Sequence, residues 1–99
     1  MSVNIIASKK VTTYFGLVAS LGCIVCRNNG YYDTPSEIHH IGNGTMGKKA
    51  SDDKTIPLCF LHHRGGGYGV AVHAGRKAFE SNFGTEQKLL KQVIALLCT

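Results

Sequence analysis

The chain has 99 residues, 43% of them hydrophobic and 17% charged, with 12 Gly and a formal net charge of +5. That is one small domain over 1–99: too apolar for a disordered chain, too sparsely charged for a coiled coil, and without the roughly 18-residue apolar run that a membrane span needs. The basic balance suits a polyanionic partner such as nucleic acid and excludes little else.

Taken in chain order, Met1–Ala7 reads as a short tail. Ser8 is placed to cap a helix running to about Leu21, with Val11, Tyr14, Phe15, Val18 and Leu21 on one stripe and Gly22 as its stop. Lys9 and Lys10 ahead of this apolar stretch, with Cys23 behind it, have the outline of a secretory or lipoprotein signal. Thr12, Thr13 and Ser20 interrupt it, so the expectation is a retained helix in a reducing cytoplasm, where clustered cysteines more often hold metal than form disulfides. Glu37–Ile41 reads as a strand, Gly42–Gly47 as a loop, Lys48–Lys54 as a polar stretch, and Thr55–Leu58 as a second strand that Pro57 confines to an edge or an end. Cys59–His63 opens a helix or a tight turn, the glycines at 65–67 and 69 break it, and Val70–His73 looks extended. Arg76–Phe83 is a short helix closed by Gly84. Thr85 caps a final helix to about Leu97, with Leu89, Leu90, Val93, Ile94 and Leu97 on its apolar face. Lys88 stands where a capping box wants an acid or amide.

Two clusters carry chemistry. Cys23-x-x-Cys26 and Cys59-x-x-His62 are paired knuckles, and together they offer the four N/S donors of a tetrahedral structural Zn²⁺ site. A Cys23–Cys26 disulfide, a redox dithiol and plain buried thiols are the alternatives; the redox pair would want a βαβ setting, which is missing here. A structural zinc can contribute on the order of 10 kcal/mol to folding so small a domain. Cys98 stands apart as an inert helix-end thiol. With His62 assigned, His39, His40, His63 and His73 remain, a surplus that a zinc clip holding Cys26 near Cys59 would draw together. Imidazoles with open positions can hold a divalent ion against a phosphate, and a neutral His beside it can take a proton from water. Neighbouring strand residues face apart, so His39 and His40 share a site only where the strand bends or ends; Gly42 and Gly44 permit that. Lys48, Lys49, Lys54, Arg64, Arg76 and Lys77 are candidate phosphate contacts that would bind DNA with little sequence preference.

The string Cys-x-x-Cys, His39-His40, Cys-x-x-His62-His63 and a later His73 resembles the zinc-bearing HNH, or ββα-metal, endonucleases. Over about 17–90 it is similar to the bacteriophage recombination-enhancement nucleases (Ref), which cut DNA where a RecA filament has paired a strand. The resemblance implies an α+β fold, a small zinc-stabilised ββα-metal (His-Me finger) domain with flanking N- and C-terminal helices. It implies His39, His63 and His73 as ligands of a catalytic divalent metal, Mg²⁺ being expected, and His40 as the general base. DNA and the host RecA filament would be the partners, with no membrane, in the host cytoplasm if the chain is phage-encoded. In two respects the chain departs from the pattern: no Asn stands just before Cys59, and His63 and His73 are ten positions apart, so the insert Arg64–Val72 has to fold back. A second class of function, a non-catalytic zinc-binding module for nucleic acid or protein, has no use for a base beside a metal.

Overall fold

A computed structural model of the protein describes residues 14–41 and 54–98. They form a small α+β arrangement: α1 (Tyr14–Ser20), α2 (Ile24–Asn28), β1 (Glu37–His40), β2 (Thr55–Leu58), a π-helical turn (Leu61–Gly65), a 3₁₀ turn (Val72–Ala74), α3 (Arg76–Phe83) and α4 (Glu86–Leu97). The first seven positions, the Ser8 cap, Val11 and the Gly42–Gly47 loop lie outside the described residues.

Helix α1 turns its apolar stripe inward, burying Val18 against the sheet. It stops where Gly22 takes φ +77°, and a Cβ there would come within 2.7 Å of the Tyr32 carbonyl oxygen. That is a position only glycine fills without strain. The five-residue α2 follows at once and was not expected from the sequence. Its cap is a sulfur: the Cys26 amide donates to Cys23 Sγ at 3.4 Å. A cysteine that both caps and clusters leaves no Ser/Thr/Asp/Asn signal to read.

The strands pair antiparallel, with Glu37 opposite Leu58, Ile38 opposite Pro57, His39 opposite Ile56 and His40 opposite Thr55. All four residues of β2 are buried, since α1, α2 and α4 pack around it. A strand covered on both faces has no polar alternation to show. Among the described residues each strand of this two-stranded ribbon pairs along one side, and the missing N–H of Pro57 costs no ladder bond.

Val70–His73 is not extended. Gly67 and Gly69 take φ +87° and +88°, the amides of Val70 and Ala71 both donate to the Gly67 carbonyl, and the chain enters the 3₁₀ turn. Ala71 and Val72 are buried by this reversal. The Cys59–His63 expectation resolves as a single wide turn with i→i+5 bonding, Gly66 N–H to Leu61 C=O at 2.9 Å.

Two C-terminal helices close the core. Phe79 of α3 is fully buried, and its ring lies 5.2 Å from that of Phe83. Thr85 caps α4 as expected, accepting from the Lys88 amide at 3.1 Å. Leu89, Leu90 and Val93 are buried and Leu97 partly so, whereas Ile94, expected on the same face, falls at the flank of the stripe and is 42% exposed. Among the described residues no helix is long and apolar enough to cross a membrane.

Candidate functional site

The two knuckles meet. Cys23 at the head of α2, Cys26 within it, Cys59 just past β2 and His62 in the π-helical turn place their donor atoms within 4.8 Å of one another. His62 Nδ1 lies 3.2 Å from Cys59 Sγ, 3.6 Å from Cys23 Sγ and 3.7 Å from Cys26 Sγ; Cys26 and Cys59 Sγ are 3.9 Å apart. A tetrahedron with Zn–S arms of about 2.3 Å and a Zn–N arm of about 2.0 Å has edges of roughly 3.5–3.8 Å. The donors fit that shape. Burial pushes the Cys23 thiol up to about 12, with the neighbouring Cys59 and Cys26 adding to the shift and backbone amides opposing it. Burial also lowers His62. Three sulfurs and an imidazole nitrogen at these distances are a donor set that can hold a dication. The His62 ring is braced edge-on by Phe83 at 4.9 Å. No disulfide links these cysteines, which leaves the pairing alternative unsupported, and Cys98 is exposed at the end of α4.

The second set is His39 from β1, His63 from the π-helical turn and His73 from the 3₁₀ turn, whose donor atoms also lie within 4.8 Å of one another. The reversal through Gly67 and Gly69 folds the insert back: His63 Nε2 and His73 Nε2 are 3.2 Å apart, close to the ~3.3 Å edge of a site with ~2.0 Å metal–nitrogen arms. The ring centroids are separated by 4.8 Å (63–73), 5.1 Å (39–73) and 5.2 Å (39–63). His39 is buried, His63 half-buried and His73 exposed, so the set opens to solvent on one side. Burial and the neighbouring imidazoles of His39 and His63 lower His73, which keeps it neutral and able to donate a lone pair.

Carboxylates stand behind two of these rings. Glu86 Oε2 is 2.6 Å from His39 Nε2, and Glu37 Oε1 is 2.7 Å from His63 Nδ1. Glu37 also receives Arg64 Nε and Nη2, both at 2.9 Å. Arg64 first and His63 second hold the Glu37 carboxyl well below the usual range, at about 2, and Glu37 in turn raises Arg64. Neither glutamate was singled out in the sequence. A signal existed for Glu86: it lies in register with Leu89, Leu90 and Val93, an acid on the inward stripe of an amphipathic helix.

His40 lies apart from the three-histidine set. As the last residue of β1 it faces away from His39, exposed, with its ring edge-on to Phe15 at 5.5 Å. Among the basic candidates, Lys54, Arg76 and Lys77 are exposed. Arg64 is tied to Glu37 and stacks over Phe60 at 4.9 Å. Lys48 and Lys49 lie outside the described residues.

Residues 7–98 match a protein family described as recombination enhancement, RecA-dependent nuclease. No curated protein matches the chain.

Proposed function

The chain belongs to the recombination-enhancement, RecA-dependent nuclease family, and on that footing we propose that it is a metal-dependent DNA endonuclease of the HNH, ββα-metal type, acting on strands that RecA has paired. The observation that carries this reading is the convergence of His39, His63 and His73 from three separate elements onto one solvent-open point. In this reading β1, β2 and the π-helical turn are the ββα unit, and Cys23, Cys26, Cys59 and His62 hold a structural Zn²⁺ that clips it together. His39, His63 and His73 would hold a divalent cation, Mg²⁺ being the expected one. Such a cation supplies charge stabilisation at the scissile phosphate and the leaving oxygen.

The remaining work falls to the chain itself. His40, exposed at the end of β1, takes a proton from the attacking water at a ring nitrogen. The water oxygen bonds to phosphorus, the bond from phosphorus to the leaving oxygen breaks, and the two oxygens lie on opposite sides of the phosphorus. Adjacent residues that face apart at a strand end suit this in-line requirement, because a phosphate lying across the end meets His40 on one side and the three-histidine set on the other. Lys54, Arg76 and Lys77 are exposed and would contact flanking phosphates, a role the sequence also suggests for Lys48 and Lys49; Arg64 would contribute through the N–H groups that Glu37 leaves unused.

The test is cleavage of plasmid and single-stranded circles, with and without RecA and ATP, beside a His40→Ala variant. The parent should cut and the variant should not, with zinc content and folding unchanged. Equal cutting by His40→Ala would remove the base from His40. A parent that binds DNA and cuts under no condition would leave a zinc-dependent binding module.

A further inference from the structure

We propose that Glu86 is a positioning residue that fixes the proton of His39 on Nε2 and so turns Nδ1, as the lone-pair donor, toward the three-histidine set. This rests on reading that set as a cation site. Glu86 is 7% exposed and shares the inward stripe of α4 with Leu89, Leu90 and Val93. An acid placed there costs stability unless it is partnered. Its carboxylate meets His39 Nε2 at 2.6 Å, and that imidazole is itself only 5% exposed. Two features hold the carboxylate in place. It stands in the first turn of a twelve-residue helix, where the free amides favour negative charge. Its own backbone N–H is taken by Glu80 Oε2 at 2.8 Å, which fixes the entry of α4.

A carboxylate can only accept, so the nitrogen facing it is the one that carries hydrogen. A neutral imidazole with hydrogen on Nε2 has its lone pair on Nδ1. At His63 the sense is opposite: Glu37 faces Nδ1, and Nε2 points at His73. The set is therefore asymmetric, with Nδ1 from the strand and Nε2 from the turn, each chosen from behind by a carboxylate. Partners of this kind orient a ligating imidazole and raise its basicity, and losing one typically costs roughly 10–100-fold in metal affinity. Through Glu86, helix α4 becomes part of the site although none of its residues joins the donor set.

The experiment uses the full chain with its sulfur site zinc-loaded, and Glu86→Gln and Glu86→Ala beside the parent. Imidazole ¹⁵N spectra before any second ion is added should show His39 protonated on Nε2 in the parent and in Glu86→Gln, whose amide oxygen still accepts. In Glu86→Ala they should show a mixture of tautomers. Titration with Co²⁺ should then give an affinity loss of roughly tenfold or more for Glu86→Ala and a smaller one for Glu86→Gln, with zinc content unchanged. Parent spectra with the His39 proton on Nδ1 would overturn the proposal, and so would Glu86→Ala binding Co²⁺ as tightly as the parent. A Glu86→Gln loss as large as that of Glu86→Ala would make Glu86 a ligand instead. Should the parent take up no Co²⁺ at all, the cation-site reading fails, while the spectra still decide the tautomer. They also decide it if Glu86→Ala does not fold.

Discussion

Replacing Gly66 with alanine inserts a methyl group where the chain has no room for one. A Cβ built there lies 2.5 Å from Val70 Cγ1 and 2.6 Å from the Leu61 carbonyl oxygen. Ordinary carbon contacts begin near ~3.5 Å, so the two sides must part by roughly 1 Å. Gly66 has φ −84°, which any residue adopts, so the cost is steric alone. The Leu61 carbonyl is also the acceptor that closes the π-helical turn around His63, and Val70 leads through Ala71 and Val72 to His73. Separating them strains the closing bond and drives His73 away from His63. Overpacking of this kind costs about 1–3 kcal/mol of stability. A binding constellation tolerates only about 0.5 Å of drift, so Co²⁺ affinity at the three-histidine set should fall at least about tenfold, or ~1.4 kcal/mol. Gly67→Ala is the control. Its φ is +87° with nothing within 4 Å, so it should cost about 1 kcal/mol of backbone strain and leave ion uptake nearly intact. Urea unfolding with Co²⁺ titration of both variants reads the two effects separately. Parental stability and affinity in Gly66→Ala would refute the idea that this contact seats His73, as would Gly67→Ala being the worse of the two for ion uptake.

Two further outcomes follow from the geometry. Cys59→Ser should lower zinc content and unfold the domain or leave it molten, read by metal analysis and circular dichroism, because it deletes one of four converging donors; a folded, zinc-loaded variant would contradict the split between the two sets. Glu37 has its carboxyl lowered from 4.5 to about 2, so its contribution to stability is present above the ordinary carboxylate value and is lost as pH falls through about 2. Glu37→Gln should flatten the acid limb of the urea-unfolding profile across that window, and less so in high salt, since Arg64 is exposed.

What the sequence makes legible is set by local spacing. The paired knuckles, the Thr85 cap and the helices on either side of Gly84 depend on residues a few positions apart, and each stands where the spacing puts it. The strand pair is legible because Glu37–Ile41 and Thr55–Leu58 are short runs rich in β-branched residues, each bounded by turn-forming or polar residues. The convergence of His73 with His63 is only half legible: glycines announce a reversal, but its path depends on where Ala71 and Val72 find cover, so Val-Ala-Val reads as a strand and folds as a turn. α2 is hidden because its cap is a sulfur. Glu37 and Glu86 escape because their roles depend on partners 26 and 47 positions away, distances that no local pattern encodes.

His62 and His63 are consecutive, yet one completes the sulfur cluster and the other the imidazole cluster. One peptide unit, with Cα atoms about 3.8 Å apart, thus ties the two clusters together, while their other donors arrive from separate elements. Substitutions elsewhere can soften the domain without changing that separation. A distortion of the π-helical turn at these two residues therefore reaches both clusters at once, and disturbing the sulfur cluster disturbs the imidazole cluster at its next-door residue.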